Sequence, residues 1–145
     1  MKNSQVKEFM KTDIELISPD ATLAEAARKM KDLECGVLPV GTQRNLEGVI
    51  TDRDIIIRAI AEGKNPETEI VSEYMTDEVC CCAETDMVRD AAKMMHDNNV
   101  SRLVVKDNVG NVRGMLTFGS ILRKENDQTS VTDIVSCATG NKAAA

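Results

Sequence analysis

Thr51 and Asp54 place a hydroxyl and a carboxylate three residues apart within Gly48-Val-Ile-Thr-Asp-Arg-Asp54, where an apolar run gives way to a helical pattern. Side chains of these types suit a nucleoside phosphate. Amide groups at a new helix start lack partners, and the aligned peptide dipoles favour an anion there. Thr51 would add a hydroxyl to a phosphate site, and Asp54 could accept two hydrogen bonds from a sugar diol. The same spacing also fits a capping box, in which each side chain satisfies a backbone N–H of its own helix. Capping and binding are compatible, because a capped helix start still presents its side chains.

The elements that must hold this pair follow from periodicity. Glu47 to Ile50 reads as a buried strand, and Ile55, Ile56, Ala59 and Ile60 recur at helical spacing in a helix from Asp52 to about Glu62. Upstream, Ile14 to Ile17 reads as a short strand, Ser18-Pro-Asp20 as a turn, and Thr22 as a helix cap with Glu25 three residues on. Leu23, Ala26, Ala27 and Met30 form the apolar stripe of that helix. Gly36 to Val40 is β-rich, and Gly41 to Asn45 turns the chain back as a hairpin.

This β-α-β-β-α grammar occurs twice. Val6-Lys-Glu-Phe-Met10 recurs 65 residues later as Val71-Ser-Glu-Tyr-Met75, and Leu23, Ala26, Ala27 and Met30 meet Val88, Ala91, Ala92 and Met95. After one inserted residue, Gly48-Val-Ile-Thr51 meets Gly114-Met-Leu-Thr117. The second copy is expected to place strands at Val79–Cys82, Arg102–Val105 and Val112–Leu116, helices at Met87–Asp97 and Phe118–Lys124, and a turn at Asp107–Asn111. Gly63 to Glu67 reads as the connector. The expected organisation is a first repeat with its N-terminal segment at 1–65, a second at 66–126, and a tail at 127–145 in which Ser130 to Val135 echoes the opening segments as a short capped helix. A unit of about sixty residues cannot cover its own sheet. The fold class expected is therefore α/β (α+β), with two pseudo-symmetric repeats packed through their small sheets.

Composition narrows the function. A net charge of −6 argues against nucleic acid as the main partner, which needs a basic face. No apolar run reaches the ~20 residues of a membrane span, and the polar start lacks a signal-peptide core, so a cytoplasmic protein is expected. Cys80, Cys81 and Cys82 are consecutive and would alternate between strand faces, Cys35 and Cys137 lie far off, and no C-x-x-C pair is present. Reduced thiols and no metal site are the expectation. His96 has no nucleophile or ligand partner at a recognisable spacing and reads as a surface residue. Ile55, Ile56, Ile57, Ala59 and Ile60 make the second helix apolar over more than one stripe, which fits either packing between the copies or self-association.

The V-x-x-x-M openings, Ser18-Pro-Asp-Ala-Thr22-Leu, Gly36-Val-Leu-Pro-Val40 and Gly48-Val-Ile-Thr-Asp-Arg-Asp54 together resemble a tandem pair of CBS domains, the Bateman module, from about Val6 to Lys124. The resemblance implies duplicate β-α-β-β-α units, clefts between them, disc-shaped parallel or antiparallel homodimers, and regulatory binding of adenosine-containing ligands. It implies that Thr51 lies near ribose or phosphate and that Asp54 holds the ribose hydroxyls. Ile17, Cys35, Gly36, Val37, Leu38 and Pro39 would form the adenine pocket. Arg53, Arg102 and Arg113 are candidates for phosphate contact. The second copy departs from the pattern: Thr117 keeps the hydroxyl, but Ser120 stands where the family has Asp. Val100, Ser101, Arg102, Leu103, Thr117 and Ser120 therefore make a second, weaker site.

The reading favoured is a sensor that binds AMP, ADP or ATP, with S-adenosylmethionine and NAD sharing the same adenosine, and signals through its dimer to an effector protein. The alternative is a ligand-free dimerisation or docking module. No P-loop, G-x-G-x-x-G or nucleophile-base pair is present, so no enzyme and no required cofactor are expected.

Overall fold

A computed structural model describes residues 4–124, and within them the chain forms two units. The expected tail at 127–145, with Ser130 to Val135 and Cys137, lies outside the described residues. One unit is contiguous, Ile14–Val79. It holds α1 (Leu23–Leu33), β1 (Val37–Gly41), β2 (Leu46–Thr51) and a helical run through residue 62. The other is composite, joining Met1–Asp13 to the chain from Cys80 onward. Its elements are β3 (Cys81–Ala83), α2 (Val88–Asp97), β4 (Arg102–Lys106), β5 (Val112–Thr117) and α3 (Phe118–Lys124).

The local signals act as their chemistry requires. Thr22 caps α1 by accepting the Glu25 N–H at 3.1 Å, and Glu25 returns the bond to the Thr22 N–H at 3.2 Å. Asp107 Oδ1 accepts from the N–H groups of Val109 and Asn111, which closes the turn between β4 and β5. Those two amides hold the Asp107 carboxyl below its ordinary range. Leu23, Ala26 and Met30 point from α1 into one core with Leu38, Val40 and Ile50, while Val88, Ala91 and Met95 do the same from α2 with Leu103, Val105 and Leu116.

The two sheets differ in one strand for a specific reason. In the composite unit β3 pairs parallel with β4, which pairs antiparallel with β5. In the contiguous unit β1 pairs antiparallel with β2, but the expected strand at Ile14 to Ile17 is reduced to one parallel bridge between Ile17 and Val40. Val104 donates its N–H to the Cys80 carbonyl at 3.1 Å. The equivalent of Val104 is Pro39, which has no N–H to give, so the ladder cannot extend back towards Glu15.

Each sheet is closed on its far side by an extended residue that follows a V-x-E-x-M segment. Thr76 exchanges backbone bonds with Val49 at 2.8 and 2.9 Å, and Lys11 does so with Met115 at 2.8 and 3.0 Å. The segment that opens the chain thus completes the composite unit, and the segment between the repeats completes the contiguous one. Both contacts depend on glycine. A Cβ on Gly48 would stand 2.6 Å from the Thr76 carbonyl oxygen, and one on Gly114 would stand 2.5 Å from that of Lys11.

The helix after β2 differs from the α-helix expected. From Asp54 to Ala59 it winds as a π-helix and then tightens to a 3-10 turn at Ile60–Glu62. Ile55, Ile56 and Ile57 are successive β-branched residues, whose stiffness at χ1 slightly lowers helix propensity. Ile55 and Ala59 are buried, whereas Ile56, Ile57 and Ile60 remain 45–55 % exposed.

Gly48→Ala and Gly114→Ala should each lower stability by about 1–3 kcal/mol, because the added methyl meets a backbone carbonyl that cannot rotate away. Urea denaturation measures the loss. Hydrogen exchange should show faster opening at Thr76 in the first variant and at Lys11 in the second.

Candidate functional site

Thr51 ends β2 directly across from Val37 on β1, and the Asp52 N–H extends the ladder to the Gly36 carbonyl at 3.0 Å. This pairing brings Cys35, Gly36, Val37 and Thr51 to one end of the hairpin, beside the start of the π-helix. There the Asp54 N–H donates to Thr51 Oγ1 at 3.0 Å, and the Thr51 N–H donates to Asp54 Oδ2 at 3.1 Å. The capping box is thus formed. The Asp54 side chain is 13 % exposed. Its carboxylate also accepts from the Thr76 hydroxyl, 3.4 Å from Oδ2 and 3.5 Å from Oδ1, and Arg58 Nη1 stands 4.0 Å from Oδ1. Oδ2 is saturated by these bonds, and Oδ1 keeps acceptor capacity.

The remaining residues of the expected adenine pocket divide into two kinds. Ile17 and Leu38 are 4 % and 1 % exposed and pack into the core of their unit, and Pro39 is buried and gives its carbonyl to the Ile17 N–H. Cys35 and Gly36 are half-buried, and the Cys35 thiol lies 3.4 Å from the Val37 carbonyl oxygen. They border a cavity of about 370 Å³ with Met30, Asp52, Ile55 and Ile56. Arg53 is exposed, on the first turn.

The composite unit repeats the frame with different groups. Arg102 stands across from Thr117, and the Phe118 N–H donates to the Ser101 carbonyl at 3.0 Å. The Ser120 N–H donates to Thr117 Oγ1 at 3.0 Å, and the Ser120 hydroxyl donates to the Thr117 carbonyl at 2.8 Å. Its single proton is therefore committed to its own helix. Leu103 is buried in the core, while Val100 and Ser101 are exposed. Arg113 lies with Nε 3.5 Å from the Glu84 carboxylate.

Two residues at the first site escape a reading of local sequence. Thr76 reaches Asp54 from 22 residues away. Arg58 donates to the carbonyls of Tyr74 and Met75 at 2.9 and 3.3 Å, which ties the helix to the segment that closes the sheet. The repeat itself holds the signal for Arg58, because its equivalent, Lys124, donates to the Glu8 carbonyl at 3.1 Å.

Two units, each with an antiparallel strand pair after a helix and a hydroxyl-led helix start after its last strand, define a tandem-repeat architecture. The profile of the CBS domain matches residues 6–60 and 71–127, and the chain belongs to the CBS-domain family. It is 36 % identical over 118 residues to the CBS domain-containing protein YhcV of Bacillus subtilis, covering 81 % of this chain and 83 % of that protein. Among solved structures, a conserved CBS-domain protein of unknown function from Thermoplasma acidophilum aligns with a TM-score of 0.77 at 24 % identity, over 95 % of this chain and 78 % of that one. The hexameric CBS-CP12 protein from bloom-forming cyanobacteria aligns with a TM-score of 0.75 at 25 % identity, over 85 % of this chain and 72 % of that one. CBS-domain pairs are generally regulatory, ligand-binding modules.

Among the described residues no helix is long and apolar enough to cross a membrane, and no His, Cys, Asp and Glu groups converge as metal ligands. Cys82 is buried on β3, and burial, reinforced by the Asp86 carboxylate and by Cys81, pushes its thiol up to about 12. Burial also raises Cys81, against the opposing charge of Lys106. Neither thiol is activated. Near neutral pH, Cys82 should resist iodoacetamide in the native protein and react on denaturation, as read by peptide mass spectrometry. An unfolded thiol ionises from about 9 while the buried one stays protonated to about 12. Its contribution to stability is therefore complete below pH 9 and declines as the pH rises towards 12, which urea midpoints across that range will show.

Proposed function

We propose that this chain is a regulatory sensor without enzymatic activity, which binds an adenosine-containing ligand around Thr51 and Asp54, with AMP, ADP or ATP preferred. The observation that carries the reading is the Asp54 carboxylate, fixed by Thr51 and Thr76 at the open end of the hairpin with acceptor capacity left on Oδ1. A fixed carboxylate of this kind suits a ribose diol, because the bonds are charge-assisted and little freedom is lost on binding. The half-buried Cys35 and Gly36, beside the buried Val37, supply backbone groups and apolar surface for the base, and Arg53 stands on the exposed first turn for phosphate. The site around Val100 to Leu103, Thr117 and Ser120 binds the same ligands more weakly, since Ser120 offers only neutral lone pairs.

No cofactor is needed for this role. The protein acts in the cytoplasm as a homodimer, signals to an effector protein, and engages neither nucleic acid nor membrane. The exposed Ile56, Ile57 and Ile60 support self-association, as does the hexameric state of the cyanobacterial relative. A second reading, a ligand-free dimerisation or docking module, is favoured by the engagement of Asp54 in its own cap.

A thermal melt with AMP, ADP, ATP, S-adenosylmethionine and NAD separates the two readings: a ligand at a hundred times its Kd adds about 2.7 kcal/mol. No shift with any of them favours the docking module. In calorimetry, Asp54→Ala should weaken the preferred ligand roughly tenfold or more, and Ser120→Ala should change it little. Asp54→Ala also costs about 0.5–2 kcal/mol of stability through the lost cap, so folding is checked first. Parent-like binding by the folded Asp54→Ala protein, with binding abolished by Ser120→Ala, would reverse the assignment of the principal site. Light scattering should give twice the chain mass.

A further inference from the structure

The two units carry opposite charge. Residues 14–79 hold 14 acidic against 7 basic side chains, a net −7, whereas residues 4–13 and 80–124 hold 7 acidic against 9 basic ones, a net +2. The excess of negative charge therefore sits in the contiguous repeat. Its cavity of about 370 Å³ is a groove between α1 and the helical run after β2, with the carboxylates of Glu34 and Asp52 against the single cation Lys31. Beside that groove Ile56, Ile57 and Ile60 stand exposed. In the composite unit the residues equivalent to Glu34, Asp52, Ile56 and Ile57 are Asn99, Phe118, Leu122 and Arg123. Phe118 and Leu122 pack against their own core, and Arg123 is exposed on α3. One repeat thus offers an acidic, apolar groove, and the other a covered helix with a cation on it.

We propose that two copies of this chain pair head to tail, the groove and exposed isoleucines of the contiguous unit in one copy receiving α3 of the composite unit in the other. The inference rests on the homodimer of the proposed function and states which faces meet in it. A twofold pair formed through these helix faces is isologous, so it sets each unit either against its own copy or against the other unit twice. In the first arrangement a net −7 faces a net −7, Glu34 and Asp52 come up against the same carboxylates of the partner copy, and Arg123 against its own copy. Like charges so placed oppose association. In the second arrangement −7 faces +2 at both contacts. The aliphatic stem of Arg123 then covers Ile57 and Ile60 while its guanidinium reaches the carboxylates at the groove, and Leu122 adds apolar surface beside Ile56. Only this pairing turns the charge difference between the repeats into attraction.

Sedimentation equilibrium of the full chain, from about 20 to about 200 mM NaCl, tests the pairing through the sign of its salt dependence. Opposite charges in contact are screened as salt rises, so the dimer should dissociate more readily; a contact of like charges would tighten. Arg123→Glu should weaken the dimer roughly tenfold or more, and Glu34→Lys/Asp52→Lys should do the same. A chain with all three changes, in which the charges have exchanged sides, should regain most of the parent affinity. Where like units pair, each of these changes replaces one like-charge contact by another and leaves the affinity as it was. Circular dichroism checks that the variants fold, and should the groove variant not fold, Arg123→Gln should still weaken the parent dimer in the same direction. A dissociation constant that falls or stays level as salt rises, or an Arg123→Glu chain that dimerises as the parent does, overturns the head-to-tail pairing and leaves the homodimer standing. A parent chain that sediments as a monomer throughout overturns both.

Discussion

The close approach of one backbone to another at Gly48 and Gly114 is the constraint on which the rest of the structure rests. Each sheet has few strands, and its last strand would present an open edge. The residue after a V-x-E-x-M segment pairs with that edge, and only a residue without Cβ lets it come near enough. Much else follows from this contact. Val6 and Val71 enter their cores, Arg58 and Lys124 find carbonyls to hold, and Thr76 arrives beside Asp54.

The two repeats carry this shared frame into different chemistry. At the helix start both use a threonine hydroxyl to accept the N–H three residues on, so both helices are capped alike. The partner at the third position then separates them. A carboxylate at Asp54 draws in the Thr76 hydroxyl and stands near a guanidinium, whereas the Ser120 hydroxyl turns back on its own helix. Duplication has kept what packing demands and released what lies on the rim. At the rim the threonine and the cation of the last turn are kept, as Thr51 and Thr117 and as Arg58 and Lys124, while Asp54 gives way to Ser120 and Ile57 to Arg123; the core positions remain apolar.

Much of the fold could be read from the sequence because its signals are local. Thr22 with Glu25, Asp107 with its turn, and the stripes of α1 and α2 each depend on residues within a few positions of one another. The Thr51–Asp54 box was legible for the same reason. What escaped depends on distance along the chain or on a missing group. The loss of the strand at Ile14 to Ile17 traces to the absent N–H of Pro39, which acts from a neighbouring strand. The π-turn at Asp54–Ala59 leaves no mark in the apolar spacing, which a periodicity count treats as ordinary helix. Thr76 could not be placed beside Asp54 without first knowing which strand its segment joins.

The composite unit has a consequence for the order of events during synthesis. Residues 14–79 leave the ribosome in one stretch, and everything their core requires is made together. The segment around Val6 and Lys11 emerges before them but has no edge to join until β5 has been translated. At about 5–20 residues per second it waits several seconds, with Val6 and Phe9 uncovered, while the contiguous unit assembles behind it. The segment around Val6 and Lys11 is thus made before residues 14–79 and buried after them, and in that interval its apolar side chains are open to chaperones or to the β5 edge of another nascent copy.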